Sequence, residues 1–577
     1  MPLTTRLLAA GAAALALAGT LIAPASALAA PTAATTSALE RRRVDSVATP
    51  KLGWYSCYSW AQCATVKVPL DYDRPHGKQV TLALLRVKAR DQKHRIGSLF
   101  VNPGGPGGSA VSMALAAPYF LSQPLLDRFD VVGVDPRGVG ASDQVTCFAD
   151  RRRQTPTMRT LDTGFPWGAA QEKAFVKAAG AEARACSTTG RELAGAMSTA
   201  EVARDMDVMR RAVGDGKLTF LGFSYGTAIG QYYAAMFPDR FRAIAVDGVI
   251  NPQAWVGSTR NGGRVQDDRL HSADGAWKAF VELMRRCDAA GPATCRFSGS
   301  PLHRFRVIAE RLKKKPLDLG GTKVTYPVFI DAVLAALYGP DAGAEITDLA
   351  AALYLLTTPG HVPTSDGMAA VSARLRRMTQ RGGRAFPYDN SFDAYSGVMC
   401  TDGRHPARGS SWAAAAARAD RRATYFGRAW AWASVQCARH NWTVRDEDAY
   451  TGPFTRQTRH PVLIVGSFWD PATNYADAVR AAKLLPNSRL LSSNNWGHTA
   501  YGTSVCATGT TDRYLLYRAL PAKGTTCVGA DQPFRTTLTD NPTAQSADAF
   551  DLRTASPAEI AAHGLPAGGT KVLPPVQ

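Results

Sequence analysis

The chain has 577 residues, of which 45% are apolar and 20% are charged, and this composition is typical of a soluble globular protein with two or three domains. Its formal net charge of +20 would suit a nucleic-acid or anionic partner. The basic residues are scattered, however, and no nucleic-acid-binding motif accompanies them. We therefore expect an arginine-rich solvated surface and no nucleic-acid partner.

The first thirty residues are typical of an export signal. Arg6 supplies a positive start, residues 7–23 form an apolar run, and small residues follow at the spacing of a signal cleavage site. The apolar run is short for a membrane anchor and ends at Pro24. We predict a signal peptide over residues 1–30, secretion without a membrane anchor, and a flexible leader or short propeptide over residues 31–45.

Ten cysteines fit an exported chain. Sequence does not fix their connectivity, but pairing between neighbours is the simplest arrangement and leaves no free thiol. The closely spaced cysteine or histidine pairs of metal sites do not occur, so we predict no structural zinc, no catalytic cysteine and no cofactor. The neighbouring pairs are Cys57/Cys63, Cys147/Cys186, Cys287/Cys295, Cys400/Cys437 and Cys506/Cys527.

Strand and helix patterns alternate over residues 46–252, which predicts the first part of a mostly parallel, doubly wound α/β sheet. Residues 65–69 and 80–87 alternate like a β-hairpin. A buried strand at 97–101 then runs into the sequence NPGGPGGS at 102–109. Four glycines and two prolines at a strand end indicate that the backbone there approaches another group closely.

The central motif is GFSYG at residues 222–226, which lies between a buried strand and a helix of small residues. This is the pattern of a nucleophile elbow, a turn so tight that glycine is needed two residues before and two residues after the serine. Ser224 is therefore predicted to be a nucleophile with a helix N-terminus behind it. The backbone N–H groups of Tyr225 and Gly105, or alternatively Gly104, are predicted to form the oxyanion hole.

After residue 252 the pattern becomes largely helical, apart from one possible strand at 322–326. We predict an inserted helical lid over residues 253–456 that lies across the strand ends. The sheet is expected to resume over residues 457–540, and residues 541–577 are expected to form a C-terminal tail. The clearest predicted helices of the lid are residues 275–287, 302–313, 328–338, 344–356, 368–378 and 412–423.

Two later strand ends supply an acid and a base. Asp470 follows a short buried strand, and His498 follows what the pattern predicts as the last strand, residues 489–491. The chain order Ser224, Asp470, His498 is that of the α/β-hydrolases and differs from the orders in the chymotrypsin and subtilisin classes. The sequence therefore predicts an α/β-hydrolase fold with an inserted helical lid and with these three residues as its catalytic triad.

A set of motifs resembles the secreted tripeptidyl aminopeptidases of actinomycetes, which are related to the proline iminopeptidases. The resemblance extends from about residue 54 to residue 527, and it matches the same three residues to nucleophile, acid and base. One departure is Thr499, where many members have glycine after the histidine. The motifs are NPGGPGGS, DPRGVGASD, FLGFSYGT, VDGVINP, WDPATNY and WGH.

The resemblance implies a serine exopeptidase that releases tripeptides from free N-termini, with a lid that closes the cleft and with acidic groups that bind the substrate's α-ammonium group. Asp402 is a candidate for such a group, although it could instead cap the loop after Cys400. Glu201 and Asp205 are weaker candidates, because the start of a helix accounts for both. Trp469 could form a wall of the substrate pocket or pack in the core.

The expected partner is therefore the N-terminus of a peptide or protein, and the expected assembly is a monomer. Two other hydrolase functions remain open: a secreted carboxylesterase or lipase, and an aminopeptidase with another length specificity, as in the proline iminopeptidases. Fold and triad do not distinguish ester from amide substrates, whereas a requirement for a free ammonium group would. A non-catalytic binding protein is disfavoured by the intact triad.

Overall fold

The computed structural model describes residues 34–358, 364–379, 388–529 and 532–534. The predicted signal peptide and the predicted C-terminal tail lie outside the described residues. Within the described ranges, no helix is both long enough and apolar enough to cross a membrane.

A ten-stranded sheet forms the centre of the fold, in the order β1-β2-β3-β5-β4-β6-β7-β10-β11-β12, and β8 and β9 form a separate hairpin. The strands of the described residues are β1 (Tyr55–Tyr58), β2 (Ala61–Pro69), β3 (Gln79–Val87), β4 (Gly97–Asn102), β5 (Phe129–Val134), β6 (Leu218–Phe223), β7 (Phe241–Asp247), β8 (Leu317–Leu319), β9 (Thr322–Val324), β10 (Val462–Trp469), β11 (Ser488–Trp496) and β12 (Thr526–Cys527).

Strands β1 to β3 and the pair β3/β5 are antiparallel, and every neighbouring pair from β5 to β12 is parallel. The predicted hairpin is confirmed as β2 and β3. The sequence pattern predicted β11 as the last strand, but the short strand β12 follows it and pairs with its outer edge. Since the carboxyl ends of parallel strands share one edge, the loops after β4, β6, β7, β10 and β11 lie along the same edge.

Helices cover both faces of the sheet. Phe100 packs in a cluster with residues of α7 and α8, whereas its neighbours Leu99 and Val101 pack with α2, α3 and α20 on the other face. The helices of the described residues are α1 (Ala38–Asp45), α2 (Ala110–Leu115), α3 (Gln123–Arg128), α4 (Arg151–Leu161), α5 (Ala169–Thr188), α6 (Arg191–Ala194), α7 (Thr199–Ala212), α8 (Gly226–Met236), α9 (Pro252–Val256), α10 (Asp267–Leu270), α11 (Ser272–Thr294), α12 (Pro301–Lys314), α13 (Tyr326–Leu337), α14 (Ala342–Thr357), α15 (Ser365–Thr379), α16 (Ser391–Asp402), α17 (Ser411–Arg422), α18 (Phe426–Trp432), α19 (Tyr475–Leu484) and α20 (Val505–Tyr517).

The chain between β7 and β10 carries α9 to α18 and the β8/β9 hairpin. All six helices predicted there are present, and α9, α10, α16 and α18 are further helices that the pattern missed. This segment has an apolar core that contains Phe280, Phe305 and Trp412 and that Phe175 of α5 also joins. Trp496 of β11 belongs to the same cluster, so the segment packs directly against the sheet edge. Its predicted boundaries and its action as a lid stay predictions.

Residues 34–45 are not a flexible leader in the structure, whereas the alternative of a short propeptide stays a prediction. Helix α1 buries Glu40, whose carboxylate accepts two hydrogen bonds from Arg204, at 2.9 and 3.0 Å. Arg43 makes a bidentate pair with Asp73 at 2.7 Å. Two members of this charged run, Glu40 and Arg43, are thus each paired with an opposite charge far away in the chain.

Five disulfides join the cysteines, and each cysteine pairs with its neighbour in the sequence, as predicted. The described residues contain no free cysteine.

Candidate active site

The turn between β6 and α8 has the geometry of a nucleophile elbow. Ser224 has a φ of 54°, in the left-handed region that non-glycine residues rarely adopt. A Cβ atom on Gly222 would lie 2.5 Å from the Gly226 carbonyl oxygen, and one on Gly226 would lie 2.8 Å from the Asn102 carbonyl oxygen. Both glycines are therefore required by close backbone contacts, which is the reason the sequence pattern gives for them.

Asp470 and His498 are paired at the same sheet edge. Asp470 follows β10 and is 1% exposed, and its carboxylate lies 2.8 and 3.0 Å from His498 Nδ1. The Asp470 Oδ1 atom also accepts the N–H groups of Ala472 and Thr473, both at 2.8 Å, so the carboxylate is held rigidly. A hydrogen bond at Nδ1 leaves Nε2 as the nitrogen able to accept a proton, and Nε2 has no hydrogen-bond partner in the described part of the chain.

The glycine-rich loop lies directly against the elbow. A Cβ atom on Gly104 would be 2.5 Å from the Phe223 carbonyl oxygen and 2.8 Å from the Tyr225 nitrogen. The Gly104 N–H donates to Asn102 Oδ1 at 2.9 Å. Because that donor is already engaged, the loop offers the Gly105 N–H more readily than the Gly104 N–H to a substrate oxygen.

The structure disfavours the predicted ammonium-binding role of Asp402. This residue lies at the end of α16 and is 5% exposed, and its carboxylate accepts the N–H of Thr199 at 2.6 Å and the indole N–H of Trp255 at 2.8 Å. The Thr199 hydroxyl donates to Asp402 and also bonds the Tyr225 hydroxyl at 2.6 Å. Burial raises the pKa of Asp402 to about 6. Its carboxylate is thus engaged inside the protein, behind the elbow.

Glu201 and Asp205 are engaged in the same way. Arg137 is fully buried, pairs with Glu201 at 2.8 Å and makes a bidentate contact with Asp205 at 2.7 and 2.8 Å. These carboxylates neutralise a buried guanidinium and are not available to a substrate cation.

Trp469 is partly buried and stacks on Trp496 with a centroid distance of 4.9 Å and an interplanar angle of 9°. The ammonium group of Lys278, on α11, lies 4.9 Å from the Trp469 ring centroid. The structure therefore gives Trp469 a packing role between the sheet edge and the helical segment, and its predicted contact with substrate stays a prediction.

Sequence reasoning missed Tyr338, which follows α13. Its carbonyl oxygen accepts the backbone N–H of His498 at 2.9 Å. Its ring meets the imidazole edge-on, with ring centroids 5.2 Å apart. A Cβ atom on Gly497 would lie 2.6 Å from the same carbonyl oxygen. The helical segment thus contacts the histidine directly, and the only sequence signal for this contact was a glycine before the histidine.

Two sequence families match the chain: one described as "alpha/beta hydrolase fold" over residues 97–268 and one described as "TAP-like protein" over residues 423–527. A tripeptidyl aminopeptidase of Streptomyces coelicolor is 31% identical over 482 residues, which are 81% of this chain and 83% of that protein. The chain belongs to the tripeptidyl aminopeptidase family of α/β-hydrolases. As a member of this family it is an enzyme, a serine hydrolase.

Two further relatives of this family member come from Mycobacterium tuberculosis H37Rv. Serine protease Hip1 is 32% identical over 386 residues, which are 62% of this chain and 68% of that protein. A protein named Carboxylesterase B is 30% identical over 509 residues, which are 83% of this chain and 91% of that protein. The two family matches include the residues of the elbow, the glycine-rich loop, Asp470 and His498, whereas residues 269–422 lie outside both matches.

Proposed function

We propose that this family member is a secreted serine exopeptidase that releases tripeptides from the free N-termini of peptides and proteins. The observation that carries the proposal is the buried Asp470–His498 pair, which shares a sheet edge with the Ser224 elbow in a chain 31% identical to a tripeptidyl aminopeptidase. Secretion is supported by the five disulfides, because such bonds persist in oxidising compartments.

In the proposed acylation step, His498 Nε2 takes the proton of the Ser224 hydroxyl while Oγ attacks the scissile carbonyl carbon. Asp470 holds Nδ1–H and stabilises the imidazolium that forms. The carbonyl oxygen becomes an oxyanion, and the N–H groups of Tyr225 and Gly105 donate to it. Loss of one such donor typically raises the barrier by about 3 kcal/mol.

The imidazolium then gives its proton to the leaving amine, the C–N bond breaks, and the tripeptide remains as an ester on Ser224. In the second half of the reaction, His498 takes a proton from water, and the resulting hydroxide attacks the ester carbonyl. The same N–H groups stabilise the second oxyanion. Its collapse releases the tripeptide and returns the proton to Ser224.

The proposed specificity requires an anionic group that binds the substrate's α-ammonium group. Asp402 is not retained for this role, since its carboxylate is already bonded to Thr199 and Trp255. We retain Trp469 as a candidate wall of the substrate pocket, because this residue is partly buried and directly precedes Asp470 in the chain.

A matched pair of substrates tests the proposal: a tripeptide p-nitroanilide with a free N-terminus and the same compound acetylated. We expect hydrolysis of the free compound alone and no hydrolysis by the Ser224→Ala variant. Comparison with dipeptide and single-residue anilides measures the length preference. Equal cleavage of the free and acetylated compounds would rule out recognition of the N-terminus.

A carboxylesterase is the second candidate function, because a relative with 30% identity over 83% of this chain carries the name Carboxylesterase B. The triad chemistry would be unchanged, and only the leaving group would differ. Efficient hydrolysis of p-nitrophenyl butyrate, with both anilides left intact, would favour this candidate.

A further inference from the structure

We propose that Asp247, the last residue of β7, is a positioning residue of the active site. It ties the backbone of Ser224 to the loop that carries His498, and its carboxylate supplies a second negative charge for the imidazolium formed during the reaction. The inference rests on the proposed acyl-enzyme chemistry at Ser224.

The main chain of Asp247 holds the nucleophile. Strands β6 and β7 are parallel and pair Phe223 with Asp247, which brings the two strand ends level. The Asp247 carbonyl oxygen then accepts the Ser224 N–H at 3.0 Å. This bond anchors the one residue of the elbow that has a left-handed backbone conformation.

The side chain of Asp247 holds the histidine loop. Its Oδ2 atom accepts the N–H groups of Ala500 at 2.9 Å and Tyr501 at 2.7 Å, two and three residues after His498. The next residue, Gly248, also lies against the loop, because a Cβ atom there would be 3.0 Å from His498 Cε1. Asp247 therefore contacts both the nucleophile, Ser224, and the loop that carries the base, His498.

The second carboxylate oxygen, Oδ1, is buried and has no hydrogen-bond partner among the described residues, and Asp247 as a whole is 1% exposed. Leaving a buried carboxylate oxygen without a partner costs free energy. Two backbone N–H groups could be satisfied by a neutral side chain, so holding the loop does not by itself require a charge. A charge retained at this cost, on the residue that holds the loop of a reacting imidazole, is typical of a functional group.

The neighbouring charges agree with this role. The pKa of Asp247 is raised to about 6, chiefly by burial; the two loop N–H groups and the charge of His498 act to lower it, and the charge of Asp470 acts to raise it. The other titratable neighbour, Tyr501, directs its hydroxyl away to Asp512 at 2.8 Å. The ionised carboxylate of Asp247 and the protonated imidazole of His498 therefore stabilise each other.

The test uses the Asp247→Asn variant and a fluorophosphonate that labels the serine nucleophile. Asparagine keeps an oxygen for the two loop N–H groups but removes the charge. We expect the labelling rate constant to fall about 10-fold, equivalent to one lost interaction in the transition state. We also expect the acid limb of the pH profile to move to lower pH, because without the charge the imidazolium of His498 is less stable and loses its proton more easily.

Asp512→Asn is the matched control. Asp512 is also buried, its pKa is also raised by burial to about 6, and it also binds Tyr501, but no hydrogen bond joins it to Ser224 or His498. This control should keep the acid limb of the wild-type enzyme. A purely structural role of Asp247 would lower the melting temperature in the same way as Asp512→Asn and would leave the acid limb unchanged.

The Ser224→Ala variant separates the two proposals. If it still reacts with the probe, the acyl-enzyme chemistry fails. If it is inert while Asp247→Asn retains the wild-type rate and acid limb, the role of Asp247 is overturned and the chemistry stands. Should Asp247→Asn fail to fold, Asp247→Glu replaces it, since it keeps the charge but displaces the loop. A lower labelling rate than that of Asp512→Asn, at an equal or higher melting temperature, is then expected, and a wild-type rate would overturn the role.

Discussion

Replacing Gly104 by alanine should separate the glycine-rich loop from the nucleophile elbow. The added Cβ atom would lie 2.5 Å from the Phe223 carbonyl oxygen and 2.8 Å from both Ser224 Cβ and the Tyr225 nitrogen, whereas real Cβ contacts essentially never fall under 3.0 Å. The obstructing atoms belong mostly to the backbone, so the loop itself must move. The displacement has to be at least about half an ångström, in addition to the strain of alanine at a φ of +97°.

A misplacement of about 1 Å in an active site can cost 10²-fold in rate. We therefore expect Gly104→Ala to lower the rate constant for acylation roughly 10- to 100-fold. The effect should fall on kcat with little change in KM, because the oxyanion donors act on the transition state. Labelling by a fluorophosphonate reports the same step without knowledge of the substrate.

Gly216→Ala is the matched control for this prediction. Gly216 lies just before β6, it has no atom within 4 Å of an added Cβ, and its backbone conformation is not left-handed. This variant should acylate at the wild-type rate. Wild-type acylation by Gly104→Ala, accompanied by a lower melting temperature, would refute the assignment of this loop to the oxyanion hole.

Three further predictions concern the acid, the N-terminal helix and a buried carboxylate. Asp470→Asn should lower kcat by about 10⁴-fold with the fold retained, because the imidazole of His498 is no longer held in the catalytic tautomer. Steady-state kinetics measures the loss, and circular dichroism checks the fold. Glu40→Gln should cost about 3 kcal/mol of unfolding free energy, since it leaves the buried Arg204 partly uncompensated. The surface variant Glu192→Gln should cost under about 1 kcal/mol in the same urea titration, and equal losses would contradict the reasoning. The free energy of unfolding of Asp402→Asn, relative to that of the wild type, should rise by up to about 3 kcal/mol as pH increases from about 4 to about 6. The sign follows because burial raises the folded-state pKa of Asp402, so its stabilising effect is lost as pH rises through that pKa, and a pH-independent difference in melting temperature would oppose this.

The parts of the fold that could be predicted are those with local signals. The elbow glycines are required by contacts within four residues of each other or with an adjacent strand, so the pentapeptide carries the information. Buried runs such as β4 and β10 read as strands because both faces of a parallel sheet are covered. The order and spacing of the strand ends then brought Ser224, Asp470 and His498 to one edge.

The parts that could not be predicted depend on partners distant in the sequence. Arg43 lies in a basic run that reads as a solvated leader, and only the fold brings it to Asp73, 30 residues away. Asp402 could equally face solvent, substrate or core, and its donors Thr199 and Trp255 lie 203 and 147 residues away. Helix α16 escaped notice because its sequence, SFDAYSGVMCTD, is short of strong helix formers.

The pairing of the cysteines has a consequence for how the chain is made. Every bond joins consecutive cysteines, and the longest span is 39 residues, from Cys147 to Cys186. If the chain is exported as we propose, each cysteine that emerges from the translocation channel meets its correct partner before any wrong one appears. The order of synthesis alone can direct oxidation, so we expect correct pairing without repeated rearrangement by an isomerase.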